Sequence, residues 1–307
     1  MVDYVEVGVG DSKASARFTD VTFITGVGKS TFLDIINRVV SNIGKKVPKT
    51  SQSWSLYLQR GDVSYYISAS KWRVRQIVSV KGEEVVFEYI PTKPIHRLLK
   101  PIEVALTSAD VIIPMVETQE HVSVVAEEDI ERVNGLLASA RKSLGARVYM
   151  LGPYISPRSL VDASAVRVDK LDRHARNLAG VLSYLALHKP TAYDSIRASL
   201  RKLGLSVSVG LAKPGKIGVF VTSKNQKMPL SRAPCSVKYL LSIATALEMK
   251  PDILLIDNFD YCLTRKAAEV LSSLFKQKPS KIVAEIHNED VADWLDLPNK
   301  SIVEVRL

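Results

Sequence analysis

Gly26-Val27-Gly28-Lys29-Ser30-Thr31 places two glycines, a lysine and two hydroxyls in order where a strand-like run meets a helix-like one. Those residue types suit a phosphate-binding turn. Successive backbone N–H groups and the positive end of a helix dipole face a polyphosphate, the lysine neutralises it, and the following hydroxyl ligates Mg²⁺. Gly26, Gly28, Lys29, Ser30 and Thr31 are therefore the candidate ATP-binding residues. The strict spacing G-x-x-x-x-G-K-[ST] is not met, because its first glycine falls on Phe23. The loop is about three residues short of that pattern, and a plain tight turn with a capping lysine is the competing reading. A second candidate is Asp257, which closes the apolar run Ile253-Leu254-Leu255-Ile256. A buried strand ending in Asp presents a carboxylate at its C-terminal edge, where it would share Mg²⁺ with Ser30, or merely cap the strand. A third is His287, after Lys281-Ile282-Val283-Ala284-Glu285-Ile286. A histidine there can reach a γ-phosphate or orient water, although a lone histidine also serves structure alone.

These residues need elements to hold them. Residues 17 to 25 alternate and β-branch like a strand, and 29 to 43 show helical spacing through Phe32, Leu33, Ile36, Val39 and Val40. From Trp54 to Tyr89 the pattern changes to short β-type runs, at 54–58, 63–67, 72–80 and 84–90, and with Gly61-Asp62 and Lys81-Gly82-Glu83 between them as turns they read as an antiparallel meander. Glu127 to Leu144 is an amphipathic helix, acidic at its start and basic at its end. Helices follow at 177–187 and 193–203, and strand-like segments return between Leu205 and Val221. The last third alternates: helix 237–248, strand 252–256, helix 267–276, strand 281–286. Such alternation argues for a parallel sheet, so the fold class is α/β.

With the three candidates placed, the chain resembles the ABC-type AAA ATPases related to RecF, SMC and OLD-family proteins, over nearly its whole length. Phe23 to Thr31 is similar to their P-loop without its middle. Tyr149-Met150-Leu151-Gly152-Pro153-Tyr154 and Asn177-Leu178 match interior landmarks, Asp257 to Leu263 falls on their Walker B and D-loop stretch, and His287-Asn288-Glu289 on the His switch. The resemblance implies a P-loop NTPase fold: one ATPase head over 1–307, with an antiparallel β lobe inserted at 50–105 and a mainly helical lobe at 106–204. It implies ATP and Mg²⁺ as cofactors, with Lys29 on phosphate, Ser30 and Asp257 on Mg²⁺, and Asn258 and His287 at the catalytic positions.

Three departures change that expectation. The family's catalytic Glu is here Asn258, which keeps the shape of a carboxylate but takes no proton. Its Ser-Gly signature is here Ala233-Pro234-Cys235-Ser236, where Pro234 has no N–H to offer. The phosphate loop is short. The expected function is thus a degenerate RecF-like ATPase that binds ATP·Mg weakly or persistently with slow or no hydrolysis, in DNA metabolism or defence. It would act as a homodimer or with an active paralogue. One alternative is a pseudo-ATPase scaffold that no longer binds nucleotide, favoured if Ser12 to Thr19 does not rebuild the missing turn. Another is a basic nucleic-acid-binding module for DNA or RNA.

Composition bounds all three. The 307 residues are 46% hydrophobic and 24% charged, which excludes a disordered chain. The net charge of +10 favours an anionic partner. Two basic stretches could serve it: Lys45, Lys46 and Lys49 with Lys71-Trp72-Arg73 and Arg75, and Arg167 through Lys170, Arg173, His174 and Arg176. No apolar run reaches the ~20 residues of a membrane span. Two cysteines, Cys235 and Cys262, are too few for a disulfide framework or a zinc site, so a reducing, cytoplasmic setting is expected.

Overall fold

The β-type runs of the first third pair into one antiparallel sheet, and the strand–helix alternation of the last third builds a second, largely parallel one. A computed structural model describes residues 2–45, 47, 50–90, 96–100, 104–106, 127–166, 170–224 and 226–307. The chain falls into two compact units, one of Met1–Phe18, Gly26–Arg147 and Glu304–Leu307, the other of Thr19–Thr25 and Val148–Val303.

In the first unit a hairpin of β1 (Tyr4–Val9) and β2 (Ser12–Arg17) opens the chain. Residues 17–25, expected as one strand, are divided. The chain turns at Phe18 to Asp20, where the Thr22 hydroxyl accepts from the Thr19 N–H, and β3 (Val21–Val27) starts afresh. Helix α1 (Lys29–Val40) follows, three residues shorter than its periodicity predicts. The meander forms β4 (Trp54–Arg60), β5 (Val63–Ala69), β6 (Val74–Val80) and β7 (Glu83–Tyr89), and β8 (His96–Lys100) and β9 (Val104–Leu106) extend it. The resulting eight-stranded order is β2-β1-β4-β5-β6-β7-β8-β9. Period-2 alternation puts Leu56, Leu58, Tyr65, Ile67, Val74 and Val78 on the buried face. Helix α2 (Glu127–Leu144) packs on it through Val133, Leu137, Ala140 and Leu144, spaced as one helical stripe.

The second unit contains β10 (Val148–Leu151), β11 (Leu160–Asp162), α3 (Leu178–His188), α4 (Pro190–Arg201), β12 (Leu205–Lys213), β13 (Lys216–Ser223), β14 (Gln226–Pro229), α5 (Cys235–Glu248), β15 (Ile253–Ile256), α6 (Arg265–Gln277), β16 (Lys281–Glu285), a short α7 (Asp290–Asp293) and most of β17 (Lys300–Arg306). Its five-stranded sheet has the order β10-β15-β16-β3-β17, with β10, β15, β16 and β3 parallel. Strands β15 and β16 are buried along almost their whole length, which is why they read as continuous apolar runs. A single core joins this sheet to α3, α4, α5 and α6. The smaller sheet β11-β13-β12 carries β14 at its side. Residues 106–204 thus contribute α2 to the first unit and β10, β11, α3 and α4 to the second, while 107–126 lie outside the described residues.

Candidate functional site

The Gly-Lys turn belongs to the first unit. Strand β3 runs through Gly26 and Val27, and α1 begins at Lys29, so Gly28 alone separates strand from helix. Gly28 sits at φ 81°, a left-handed conformation that glycine adopts without cost. Both glycines are backed by β17 and the residue after it. A Cβ on Gly26 would lie 2.1 Å from the Val305 carbonyl oxygen, and one on Gly28 would lie 2.7 Å from Leu307 Cβ. The Leu307 N–H donates to the Val27 carbonyl at 3.1 Å. Lys29 Nζ turns back and donates to the Gly26 carbonyl at 2.9 Å. Ser30 and Thr31 are exposed in the first helical turn. Ser12 to Thr19, the segment considered for rebuilding the loop, is spent on β2 and the following turn. A phosphate cradle needs several successive peptide N–H groups between strand and helix, and one residue does not supply them. The turn as built does not fit an ATP polyphosphate.

In the second unit, Asp257 follows β15 and is buried, its backbone N–H bonded to the Leu151 carbonyl. Its carboxylate pairs with the Arg173 guanidinium at 3.0 Å. A clasp holds Arg173 in place: the Asp172 carboxylate accepts from the N–H groups of His174, Arg176 and Asn177, and Asn177 Oδ1 accepts from the Asp172 N–H. Gly152 leaves room, since a Cβ there would come within 2.9 Å of Arg173 Cγ. The position expected to bind Mg²⁺ is therefore met by a side-chain cation of the same unit. Asn258 is at φ 59°, a left-handed conformation that Asn tolerates better than most residues, and its carbonyl accepts from the Tyr239 hydroxyl at 3.2 Å. Backbone geometry alone thus gives a reason for Asn at this position.

His287 is exposed and caps a different carboxylate. Asp260 Oδ2 accepts from the backbone N–H groups of His287 (2.7 Å) and Asn288 (2.9 Å), and Oδ1 lies 3.2 Å from His287 Nδ1. Burial pushes the Asp260 carboxyl up, but the amides of Asn288 and His287 and the imidazole outweigh it and hold the group below its ordinary range. His287 Nε2 stands 3.5 Å from the buried Glu285. Burial, reinforced by the charges of Asp260, Asp257 and Glu285, raises Tyr239 well above the usual phenol value, so its hydroxyl remains a donor. Asp257, Asn258 and His287 do gather with Tyr239, Asp260 and Glu285, yet no group of three or more His, Cys, Asp or Glu among the described residues is arranged to hold a metal ion.

The altered signature lies at the start of α5, with Pro234 at its N-cap and Ser231 tied to the Ser159 hydroxyl. Cys235, the first residue of α5, is disulfide-bonded to Cys262, with Cα atoms 5.7 Å apart. Sequence reasoning missed Arg173 as the partner of Asp257, assigning it to a basic surface instead. The two are 84 residues apart, so no local spacing signals the pair. Lys46, Lys49 and Arg167 of the basic stretches lie outside the described residues. No described helix is long and apolar enough to cross a membrane.

No protein-family model matches the chain, and no curated protein matches it. Among solved structures it is similar to an SMC head domain from Thermotoga maritima, at 15% identity and a TM-score of 0.39 over 96% of this chain and 92% of that one. It is also similar to an Smc head bound to the C-winged helix domain of ScpA, at 14% identity and 0.45, with the same coverage of each chain. A third is an Smc head with an extended coiled coil bound to the C-terminal domain of ScpA derived from Pyrococcus furiosus, at 9% and 0.42, again over 96% and 92%. At these scores the likeness says nothing of what this chain binds.

Proposed function

We propose that this chain is a non-catalytic scaffold of the ABC-type ATPase head architecture, one that does not use ATP at its Gly-Lys turn. The observation that supports this most directly is the turn itself, with one residue between β3 and α1 and Lys29 bonded to the Gly26 carbonyl. The Asp257–Arg173 pair agrees with it, because the guanidinium supplies the positive charge that Mg²⁺ would bring. Asn258 agrees as well, since its amide side chain does not accept a proton as a catalytic carboxylate would. On this reading Asp257 and Asp260 serve the fold: one anchors the Arg173 loop, the other the loop after β16. The scaffold would work through protein partners, a second copy of this chain or a catalytically competent paralogue.

Calorimetry with ATP and Mg²⁺ tests the reading, with Lys29→Ala as the control. The expected result is no saturable binding at the turn up to about 1 mM ATP, a level at which a working phosphate loop would be filled. Saturable binding that disappears in Lys29→Ala would overturn the proposal and restore Lys29, Ser30 and Asp257 as a nucleotide site, with Asn258 prolonging the bound state. Sedimentation of the purified protein with and without ATP then reports on self-association, which a scaffold shows to the same extent in both.

A further inference from the structure

The first unit has a cavity of about 420 Å³ at one end of its antiparallel sheet, and none of the side chains lining it is acidic. Register explains how it forms. Gly8, Ser55, Ser68 and Arg75 stand directly opposite one another across β1, β4, β5 and β6, so their side chains share one face. Gly8 leaves a gap that the Ser55 hydroxyl fills, since a Cβ there would lie 2.5 Å from Ser55 Oγ. Tyr66 adds an aromatic wall from the next row.

The lining consists mostly of hydrogen-bond donors. Arg75 is exposed and contributes its guanidinium. Trp54 also lines the cavity but is only 6% exposed, because alternation turns its indole to the buried face with Leu56 and Leu58. The neighbouring carboxylates are already engaged. Glu88, opposite Arg75 in register, pairs with Arg73, and Glu6 pairs with Lys13 at 3.0 Å. Trp72, in the turn between the lining residues Ser70 and Arg73, is 71% exposed, with Lys71 Nζ 4.7 Å from its ring centroid.

We propose that this cavity is a phosphoryl-binding site for a nucleotide-sized ligand. Arg75 faces the phosphate, the Ser55 and Ser68 hydroxyls supply neutral donors, and Tyr66 offers aromatic surface for a base. A volume of a few hundred Å³ suits one nucleotide, and charge-assisted bonds from arginine to phosphate give the anion preference. The phosphoryl group has two possible sources, a free nucleoside monophosphate or the 5′-phosphate of a single strand. The inference stands apart from the scaffold reading, because the Gly28–Lys29 turn contributes nothing to this cavity.

The test is calorimetric titration with adenosine monophosphate and with a ten-nucleotide single-stranded DNA, with and without its 5′-phosphate. The phosphorylated probe is expected to saturate the protein, and removal of the phosphate or Arg75→Gln to weaken binding at least about tenfold. Ser68→Ala weakens it less, and Lys29→Ala leaves it unchanged. Equal affinity for the monophosphate and the phosphorylated strand assigns a free nucleotide as the source; binding of the strand alone assigns a nucleic-acid end. Arg75 is exposed, so an unchanged melting temperature shows that its variant is folded. The proposal is overturned if neither phosphorylated probe binds below about 1 mM. It also fails if binding survives both Arg75→Gln and Ser68→Ala, or vanishes in Lys29→Ala.

Discussion

Reducing the Cys235–Cys262 bond should lower the melting temperature of the second unit by several degrees. The bond closes a loop with a sequence separation of 27, which contains most of α5, all of β15 and the Asp257-Asn258 turn. In the chain-entropy account, cross-linking a loop of that length removes about 3.5 kcal/mol of denatured-state freedom at 25 °C. For a cooperative unit of roughly 150–250 residues, that corresponds to a shift of about 7–14 °C. Cys235 is exposed, so a phosphine reductant reaches the bond without unfolding the chain. The assay is differential scanning calorimetry of the oxidised protein, of the reduced protein, and of the Cys235→Ser/Cys262→Ser double variant, with intact mass recorded for each. Reduced and double-variant samples should melt together, below the oxidised one. If all three melt within about 2 °C of one another, the bond constrains nothing that unfolding releases. If the untreated, denatured protein takes up two equivalents of a thiol label, the bond does not form and the reasoning fails at its first step.

Gly26→Ala should destabilise the first unit by at least about 2 kcal/mol, since it forces a side chain at φ 94° to within 2.1 Å of the Val305 carbonyl oxygen; an unchanged denaturation midpoint would mean that β17 does not back this glycine. Arg173→Ala should cost about 2 kcal/mol by removing the cation that pairs with the buried Asp257, less than a fully buried pair because Arg173 is 38% exposed, and adding Asp257→Asn should recover part of the loss. Asp260 is held below its ordinary carboxylate range, so its contribution to stability is present above about pH 4 and is lost as pH falls through its lowered folded value. Urea midpoints measured from pH 7 down to pH 2 should therefore fall less steeply for Asp260→Asn than for the parent chain. Tyr239→Phe removes the bond to the Asn258 carbonyl and should cost about 1 kcal/mol, read from the same urea series at pH 7.

Much of the fold is legible along the chain because strand and helix periods are set by neighbouring residues. Alternation fixed the four meander strands to within a few residues, and helix α2 has the bounds that its charges and apolar stripe imply. The apolar run ending in Asp257 announces a buried parallel strand for the same reason. The short phosphate turn is also visible in the sequence, as a glycine that should stand where Phe23 does. What lies against the turn is not visible: Val305 of β17 and Leu307 approach Gly26 and Gly28 closely, from about 280 residues further along the chain. The same limit hid the Arg173 partner of Asp257, the Cys235–Cys262 bond, and the row of Gly8, Ser55, Ser68 and Arg75 across four strands. Local patterns specify which face of an element is apolar, but they leave open which distant residue meets it. That choice belongs to tertiary packing, where a buried carboxylate must find a cation, an unpaired thiol can find its partner, and strand register sets which side chains share a cavity.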